Sequence, residues 1–547
     1  MPSANKATER IRSGPEIWEI TDSCFHTLAT RKRYYEELRA WYWHGAYNSG
    51  EDAEINRIYG EINNILSLTY SPEQIILEGL PEGAYDPSEL PLLRKLTKVV
   101  RDNFFYRRLD VKSSNMVLHS FIDGCTFIKP VWSSGGTEWQ ETPADHIGVM
   151  YEALPIDSEF QIFATETELT DVQVKTWWPE VYGKVKGKKT SEERENTGRL
   201  EVILGGGAGK ETAQIQANSQ LTYQAQSSGD TFLCRQLWSF DHGHGQWRKA
   251  TCVEGVKVND VLTGKARHPY MHLCPIEVDN WIWGHSCVRM LKKVQGSRND
   301  GIDDIHDATE RLLDPSLLIS GYNIGEDSAD NAVARLRSPG GHYILNGMQA
   351  KAEPWVPKLD IEAAYKALDW LDVQTKYITG VNEIMQGQSQ KNVRSSGYAS
   401  MLAQFASTEL KRIAHTIEAQ LEEAFTFTGQ LFQENDGSTY TDQDTKRPFV
   451  LGQFPFDYRL EIYGHTGSPI ATENNISLSM QLHDKGLMPA EILIDILPIP
   501  YKDQLKAYAK KMELQKAMAA ASGQPMPNEP HKTGGKTKGH ANLGEKQ

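Results

Sequence analysis

The stretch LGGGAGKET, residues 204–212, is the part of this chain that comes closest to a nucleotide-binding motif. A phosphate-binding loop follows the pattern G-x-x-x-x-G-K-[ST], in which the lysine contacts phosphate and the final hydroxyl binds Mg²⁺. Leu204 stands where the first glycine is required, and Glu211 stands where the hydroxyl is required. Because a glutamate there would repel phosphate, we interpret the stretch as a surface turn. We predict no nucleotide site and no intrinsic ATPase activity.

Two histidine-containing stretches could supply metal ligands, DHGHG at 241–245 and HPYMH at 268–272. Neither stands on a predicted helix with the spacing of a zinc site, and no second cluster accompanies them. We therefore interpret these side chains as turn histidines and predict no metal site. His285, Ser286 and Cys287 are consecutive, but adjacency in sequence does not bring a nucleophile and a base into contact.

Four aspartates, Asp300, Asp303, Asp304 and Asp307, fall on one face of a predicted helix. A calcium loop would need a glycine-kinked ligand segment, which is missing here, so the aspartates indicate a solvated acidic face. The run RKRYY at 31–35 mixes basic and aromatic residues as nucleic-acid binders do, but two glutamates follow at once and favour an ordinary amphipathic helix. With no catalytic constellation left, the chain is predicted to be neither an enzyme nor a cofactor-binding protein.

Composition limits the remaining possibilities. The chain has 547 residues, enough for two to four domains, and its net charge of −14 argues against gripping DNA by neutralising phosphates. Six scattered cysteines without a C-x-x-C pair are typical of reduced, buried thiols in a cytosolic product. We see no signal peptide and no run of roughly 18 apolar residues, and so predict a soluble intracellular protein.

The hydrophobic pattern predicts a helical segment at 14–70, a helix at 90–108 and a mixed, sheet-rich region from about Met116. A helix near 168–185 and a loop or hairpin at 205–230 interrupt the strands. After Pro275 the pattern returns to helices, and Ser286 is predicted to cap the first of them. Two short strands around a Gly- and Asp-rich excursion come next, then a helix capped by Asp360 and a very long helix over Gly397–Asn435.

The segment between the last two helices is polar and unusually long for a helix connection. It runs over Gln386–Ser396 and reads QGQSQKNVRSS, with two cations and one large apolar residue. A polar connection of this length is either a disordered linker or a segment with its own function, and the residues alone leave both interpretations open.

The order of elements from Pro275 onwards resembles the portal proteins of tailed bacteriophages. PIEVDNWIWGHSCVRMLKKVQGSRND, at 275–300, resembles the start of that family's first stem helix, and SLSMQLHDKGLMPAEILIDIL, at 477–497, resembles its C-terminal helical region. The resemblance covers residues 270–500, whereas the N-terminal third matches only in general α/β texture.

The resemblance implies an α+β, ring-forming subunit with a mixed α/β wing, two stem helices, a small strand-containing clip, one very long helix and a C-terminal helical crown. Its implied segments are the N-terminal part of the wing at 1–275, the first stem helix at 276–314, the clip at 315–358, the second stem helix at 359–380, the tunnel loop at 381–396, the long wing helix with its return strands at 397–470, the crown at 471–521 and a disordered tail at 522–547. Apolar residues on more than one side of the stem helices predict lateral contacts between subunits, and Leu368 is predicted to take part in them.

In that family the subunits form a ring, usually of twelve copies, through which double-stranded DNA enters and leaves the phage head. The implied partners are other copies of the chain, DNA held without sequence specificity, the terminase motor, the major capsid protein and a head–tail adaptor, with no membrane. The implied location is the portal vertex of the virion, after synthesis in the host bacterial cytoplasm. The implied DNA-facing tunnel-loop residues are Gln386, Gln388, Gln390, Lys391, Asn392 and Arg394.

Two other functions fit the sequence. One is an intracellular enzyme whose site has no recognisable pattern, and the other is a helical adaptor or scaffold protein. Particle size separates them from the portal interpretation, because only the latter requires a closed ring.

Overall fold

The computed structural model describes residues 13–46, 55–82, 90–185, 231–313, 316–320, 351–355, 361–381, 408–441, 448–453, 457–463 and 469–485, with single positions beyond Lys485. The chain divides into two units, Met1–Ile470 and Ala471–Gln547. Blocks of helix alternate with antiparallel strands, which makes the chain α+β as the sequence predicted.

The first three helices among the described residues are α1 (Gly14–Cys24), α2 (Leu28–His44) and α3 (Arg57–Thr69). A capping box starts α1, because the Glu16 N–H donates to Ser13 Oγ (3.4 Å) and the Ser13 N–H donates to the Glu16 carboxylate (3.0 Å). Gly45 ends α2 in the left-handed conformation, with φ of 68°. The predicted apolar faces of α2 and α3 lie in the core, including Leu38 and Ile62, which are fully buried.

Two further helices, α4 (Leu90–Tyr106) and α5 (Leu109–Asp123), precede the sheets. The predicted change to β structure near Met116 is wrong, since α5 continues to Asp123 and ends at Gly124, with φ of 103°. Met116, Val117, Phe121 and Ile122 are apolar and buried, and they lie on more than one side of the helix. A short apolar run of this kind looks the same whether it is a buried helix or a strand, which explains the misplaced boundary.

The described strands between Thr126 and Leu273 form two antiparallel sheets. A three-stranded sheet has the order β3-β2-β9, with β2 at Thr126–Ser133, β3 at Gly136–Pro143 and β9 at Met271–Leu273. A five-stranded meander comprises β4 (Ile147–Val149), β5 (Ile162–Thr170), β6 (Thr231–Asp241), β7 (Gln246–Val253) and β8 (Val256–Leu262). Helix α1 packs on this meander through Ile17 and Cys24, and the short helix α6 (Asp171–Trp177) follows β5, as predicted.

The region after Pro275 has the predicted order of elements. Helix α7 (Cys287–Leu313) leads into an antiparallel strand pair, β10 (Ser316–Ser320) and β11 (Lys351–Trp355), and helix α8 (Ile361–Thr379) follows. The predicted N-cap of α7 is confirmed, because the Arg289 N–H donates to Ser286 Oγ at 3.3 Å. Asp360 lies outside the described residues.

Helix α9 (Thr408–Asn435) lies in the middle of the core of the first unit. Its apolar positions keep the predicted helical spacing and are buried: Leu410, Ile413, Ile417, Leu421, Phe425, Leu431 and Phe432. Phe425 meets Phe104 of α4 and Trp139 of β3 at ring distances of 5.1 and 5.0 Å. The predicted start of this helix at Gly397 lies outside the described residues, which resume at Thr408.

Three short strands follow α9 among the described residues, in the region where the resemblance implied return strands. They are β12 (Thr439–Thr441), β13 (Pro448–Val450) and β14 (Asp457–Ile462). Strand β14 returns to pair with β1 (Leu77–Glu82), so that Leu77 faces Ile462 in the register. Helix α10 (Pro469–Asp484) begins at the end of the first unit and continues into the second.

Candidate functional site: a helical hairpin with an exposed aromatic face

Helices α7 and α8 lie against each other in antiparallel directions, and we refer to them together as the helical hairpin. Leu368 of α8 faces Gly301 of α7, where an added Cβ would lie 3.1 Å from Leu368 Cδ2. Three residues earlier on α7, Arg298 forms an ion pair with Asp372, four residues later on α8. The glycine thus permits a close approach of the two helices, and the ion pair joins them one turn away.

The hairpin is anchored on the N-terminal helices by buried polar contacts. Gln295 of α7 accepts from the Arg57 N–H at 3.0 Å and donates to the Ile55 carbonyl at 2.9 Å. The Arg57 guanidinium reaches across to Asp372 at 2.8 Å. Gln295 is almost fully buried, and its hydrogen bonds offset the cost of removing an amide from water.

The outer side of α8 is apolar and exposed. Trp370, Val373 and Tyr377 follow one another at spacings of three and four residues and therefore share one side of the helix. The side chains of Trp370 and Tyr377 are 60% and 77% exposed. We name these three residues the hairpin face.

A second apolar surface lies on the N-terminal helices and comprises Trp43, Ile55 and Tyr59, all exposed. The rings of Trp43 and Tyr59 are 6.1 Å apart. Tyr59 stands two positions after Arg57, which points toward α8, so Tyr59 lies on a different side of α3. We name this surface the N-terminal patch, and it is separate from the hairpin face.

The structure gives Leu368 a contact within the chain. Its side chain packs against Gly301 of α7 and is half-buried, so Leu368 helps to hold the hairpin together, and its predicted lateral contact stays a prediction. The sequence showed that α8 has apolar residues on more than one side. It did not show which side faces α7, because only the position of the partner helix decides that.

The four aspartates of α7 share an exposed side, as predicted. Within the ranges that the structure describes, no three His, Cys, Asp or Glu side chains converge in a way that could hold a metal ion. The acidic row, Asp300, Asp303, Asp304 and Asp307, therefore runs along the helical hairpin as a solvated surface.

The histidine stretches divide into two kinds. His242 and His244 occupy the turn between β6 and β7, as predicted, whereas the turn assignment for HPYMH is wrong. His268 is buried next to Trp247 and Phe163, and His272 lies in β9 with its ring stacked on Phe127 at 5.1 Å. Burial lowers the pKa of both rings to about 4, so both are neutral at pH 7.

Ser286, Cys287 and His285 do not form a catalytic group. Ser286 Oγ donates to the Ile122 carbonyl, so its proton is committed to the backbone. Burial raises the pKa of the Cys287 thiol to about 12, which removes the thiolate needed for a nucleophile. All six cysteines are buried and free, which confirms the predicted thiol state. The arrangement therefore has a structural role at the junction of α5 and α7.

The proposed DNA-facing residues, Gln386, Gln388, Gln390, Lys391, Asn392 and Arg394, lie outside the described residues, as does the phosphate-loop lookalike at 204–212. The chain leaves α8 through Gly380, with φ of 67°, and Val381, which is fully buried. Val381 is the first residue of the predicted tunnel loop at 381–396, and it is the part of that segment that the structure describes.

No family model and no curated protein matches the chain. Among solved structures, a chain from the virion of a native gene transfer agent particle is similar to it, with a TM-score of 0.36 and 10% identity over 87% of this chain and 94% of that chain. At these values the likeness does not establish a shared fold. Among the helices within the described ranges, none combines the length and apolar character needed to cross a lipid bilayer.

Proposed function

We propose that this chain is a ring-forming structural subunit of the portal type, with a central channel for double-stranded DNA at one vertex of a phage capsid. The observation that carries the proposal is the hairpin face, because a solitary subunit leaves Trp370 and Tyr377 in water. Burying apolar surface contributes about 25 cal/mol per Å², and aromatic residues are enriched at the centres of protein interfaces.

The position of the two apolar surfaces supports a ring over a symmetric dimer. The hairpin face and the N-terminal patch lie on different sides of the same unit, which suits a head-to-tail contact in which one copy's hairpin face meets the next copy's N-terminal patch. Head-to-tail contacts close into rings when the rotation between copies divides a full turn. The order of helix, strand pair, helix and long helix supports the portal form of such a ring.

In this proposal the strand pair at the tip of the helical hairpin meets the terminase motor and later the head–tail adaptor, and the outer parts of the ring meet the major capsid protein. The ring performs no reaction, so the energy for packaging comes from the separate motor. The tunnel-loop residues, including Lys391 and Arg394, make transient contacts with the phosphates of moving DNA. The acidic row on α7 repels the phosphates and so limits the retention of DNA.

Light scattering and negative-stain images of the purified protein test the proposal. We expect a closed ring near twelve times the chain mass of 61.6 kDa. The variant Trp370→Glu/Tyr377→Glu should give smaller species, while Trp177→Glu, on exposed α6, should leave the ring intact. A monomer or dimer of the wild-type chain at all concentrations would favour an adaptor or an enzyme instead.

A further inference from the structure

Helix α4 carries a row of basic side chains along its outer side. Arg94, Lys98 and Arg101 follow one another at spacings of four and three residues, which places them on one side of the helix. Arg94 and Lys98 are exposed, and the side chain of Arg101 is 43% exposed. The opposite side of α4 is committed to the core through Leu96 and Phe104.

The row continues at the corner between α4 and α5. Arg108 stands there with φ of 55° and a side chain that is 74% exposed. Arg107 differs from it, because its guanidinium donates to the carbonyls of Ser133 and Ser134 at 3.0 and 2.8 Å. Arg107 therefore holds the turn between β2 and β3, whereas Arg108 is mostly exposed and its Nε lies 3.7 Å from the Asp110 carboxylate. We name Arg94, Lys98, Arg101 and Arg108 the basic row.

The charge of this region opposes that of the chain. Residues 90–123 contain seven Lys and Arg against three Asp and no Glu, in a chain of net charge −14. One of those aspartates, Asp123, is buried and paired with Arg39, so it does not neutralise the row. Asp102 lies 3.9 Å from Arg101, a long contact between half-exposed groups. Among the residues that the structure describes, Arg94 and Lys98 form no ion pair.

We propose that the basic row binds the phosphate backbone of duplex DNA without reading its sequence. Exposed Lys and Arg gain affinity for DNA by displacing its condensed counterions. Arg94 and Arg101 are about 10 Å apart along the helix axis, which spans about three phosphates of one strand. Between Arg94 and Arg101 no apolar side chain is exposed, and the exposed aromatic of this helix, Tyr106, lies beyond them at its end. The centre of a protein–protein interface, by contrast, is poor in charge and rich in apolar contacts.

This site is separate from the tunnel loop and does not require a ring. The basic row lies at residues 94–108, in the predicted N-terminal part of the wing, while the predicted tunnel-loop residues lie at 386–394. Each copy in a ring would add one basic row, and several weak contacts to one DNA would act together. A single subunit should still bind, with lower affinity.

The test is a fluorescence-anisotropy titration of the full chain with a labelled duplex of random sequence, at several salt concentrations. We expect the wild type to bind at low salt, with a slope of log affinity against log salt of about −3 or steeper. The variant Arg94→Gln/Lys98→Gln/Arg101→Gln should lose at least tenfold in affinity, and its slope should become shallower by about 3.

The matched control is Arg33→Gln/Lys175→Gln/Lys184→Gln, which removes three exposed cations from other elements. It should bind as the wild type does. An equal loss in both triple variants, an unchanged affinity in the basic-row variant, or no binding by the wild type would each overturn the proposal. Circular dichroism checks that the variants are folded.

Two further experiments distinguish DNA binding by the basic row from binding of an acidic protein and from ring assembly. Poly-glutamate of matched charge should compete poorly, and tighter binding of poly-glutamate than of duplex would assign the row to an acidic protein partner. The ring-defective variant Trp370→Glu/Tyr377→Glu should retain the salt-dependent binding at lower affinity. A wild-type chain that forms no ring but still binds the duplex in a salt-dependent way would refute the proposed assembly and leave the basic row intact.

Discussion

His268 uses both ring nitrogens in its neutral form. Nε2 lies 3.0 Å from the Ile156 carbonyl and donates to it, and Nδ1 accepts from the Tyr270 N–H at 3.2 Å. A second proton on Nδ1 would displace the Tyr270 N–H. Since burial lowers the pKa of His268 and His272 to about 4, acid must drive both rings into a form that the folded chain disfavours.

The sign of the pH dependence follows from these pKa values. The folded-state pKa lies below the unfolded value of about 6.5, so the stabilisation is present above pH 6.5 and is lost as the pH falls toward 4. At pH 5 each buried histidine should lower the free energy of unfolding by about 2 kcal/mol relative to its value at pH 7.5. We expect His272→Phe, which keeps a ring beside Phe127, to reduce the fall in stability between pH 7.5 and pH 5 by that amount.

Urea unfolding at the two pH values measures this change. Because the measured quantity is a change with pH, any constant packing cost of the His272 variant cancels. An unaltered fall in His272→Phe would show that other groups carry the acid sensitivity.

Arg31 belongs to the basic and aromatic run at 31–35 and is buried. Its guanidinium donates to the carbonyls of Ala144 and Ile147 at 3.0 and 2.9 Å and lies 3.6 Å above the Trp283 ring. A lysine carries one ammonium group and cannot make both hydrogen bonds in this geometry while stacking. We expect Arg31→Lys to lower the free energy of unfolding by about 2 kcal/mol, and Arg33→Lys, at an exposed position, to change it little. Equal stability of the two variants in urea unfolding would contradict this.

At the scale of the elements, the two sides of α8 should respond differently to a new charge. Leu368→Asp places a carboxylate against Gly301 and α7, so we expect a lower melting temperature of the subunit itself. Trp370→Glu places a charge on exposed surface, so we expect the melting temperature of the isolated subunit to be retained and assembly to be lost. Thermal unfolding and sizing of both variants measure the contrast. The reverse pattern would mean that the hairpin face packs within the chain.

The order of the elements was predictable from sequence, whereas their partners were not. The spacing of apolar residues located α9 well, because a helix that packs along one side leaves a three-four pattern such as Leu410, Ile417 and Leu421. The same pattern could not place the end of α5, since its last residues are buried on several sides. It also could not show that Arg31 and His272 are core residues, because their partners lie more than one hundred residues away or in another strand.

At the scale of the whole molecule, variants of the segment Gln386–Ser396 test whether it lines the proposed DNA channel. Replacing Gln388–Asn392 with a short Gly-Ser link should leave rings of normal size and melting temperature, because loop-closure entropy changes only slowly with length. Heads built on such rings should fill poorly or lose DNA. Lys391→Glu with Arg394→Glu should have a milder effect that weakens as salt rises. Normal packaging by the Gly-Ser variant would argue that the segment is only a linker.

The pairing of β1 with β14 cannot form until the ribosome has synthesised most of the chain. About 380 residues separate Glu82 from Ile462 along the chain, and a ribosome adding 5–20 residues per second needs roughly 20 to 80 s to cover them. Until α9 has been synthesised, the apolar sides of α4 and β3 lack their packing partner, and Phe104 and Trp139 remain uncovered. A chain that ends before Asp457 would leave β1 without its partner strand, so we expect it to be less stable than the full-length chain.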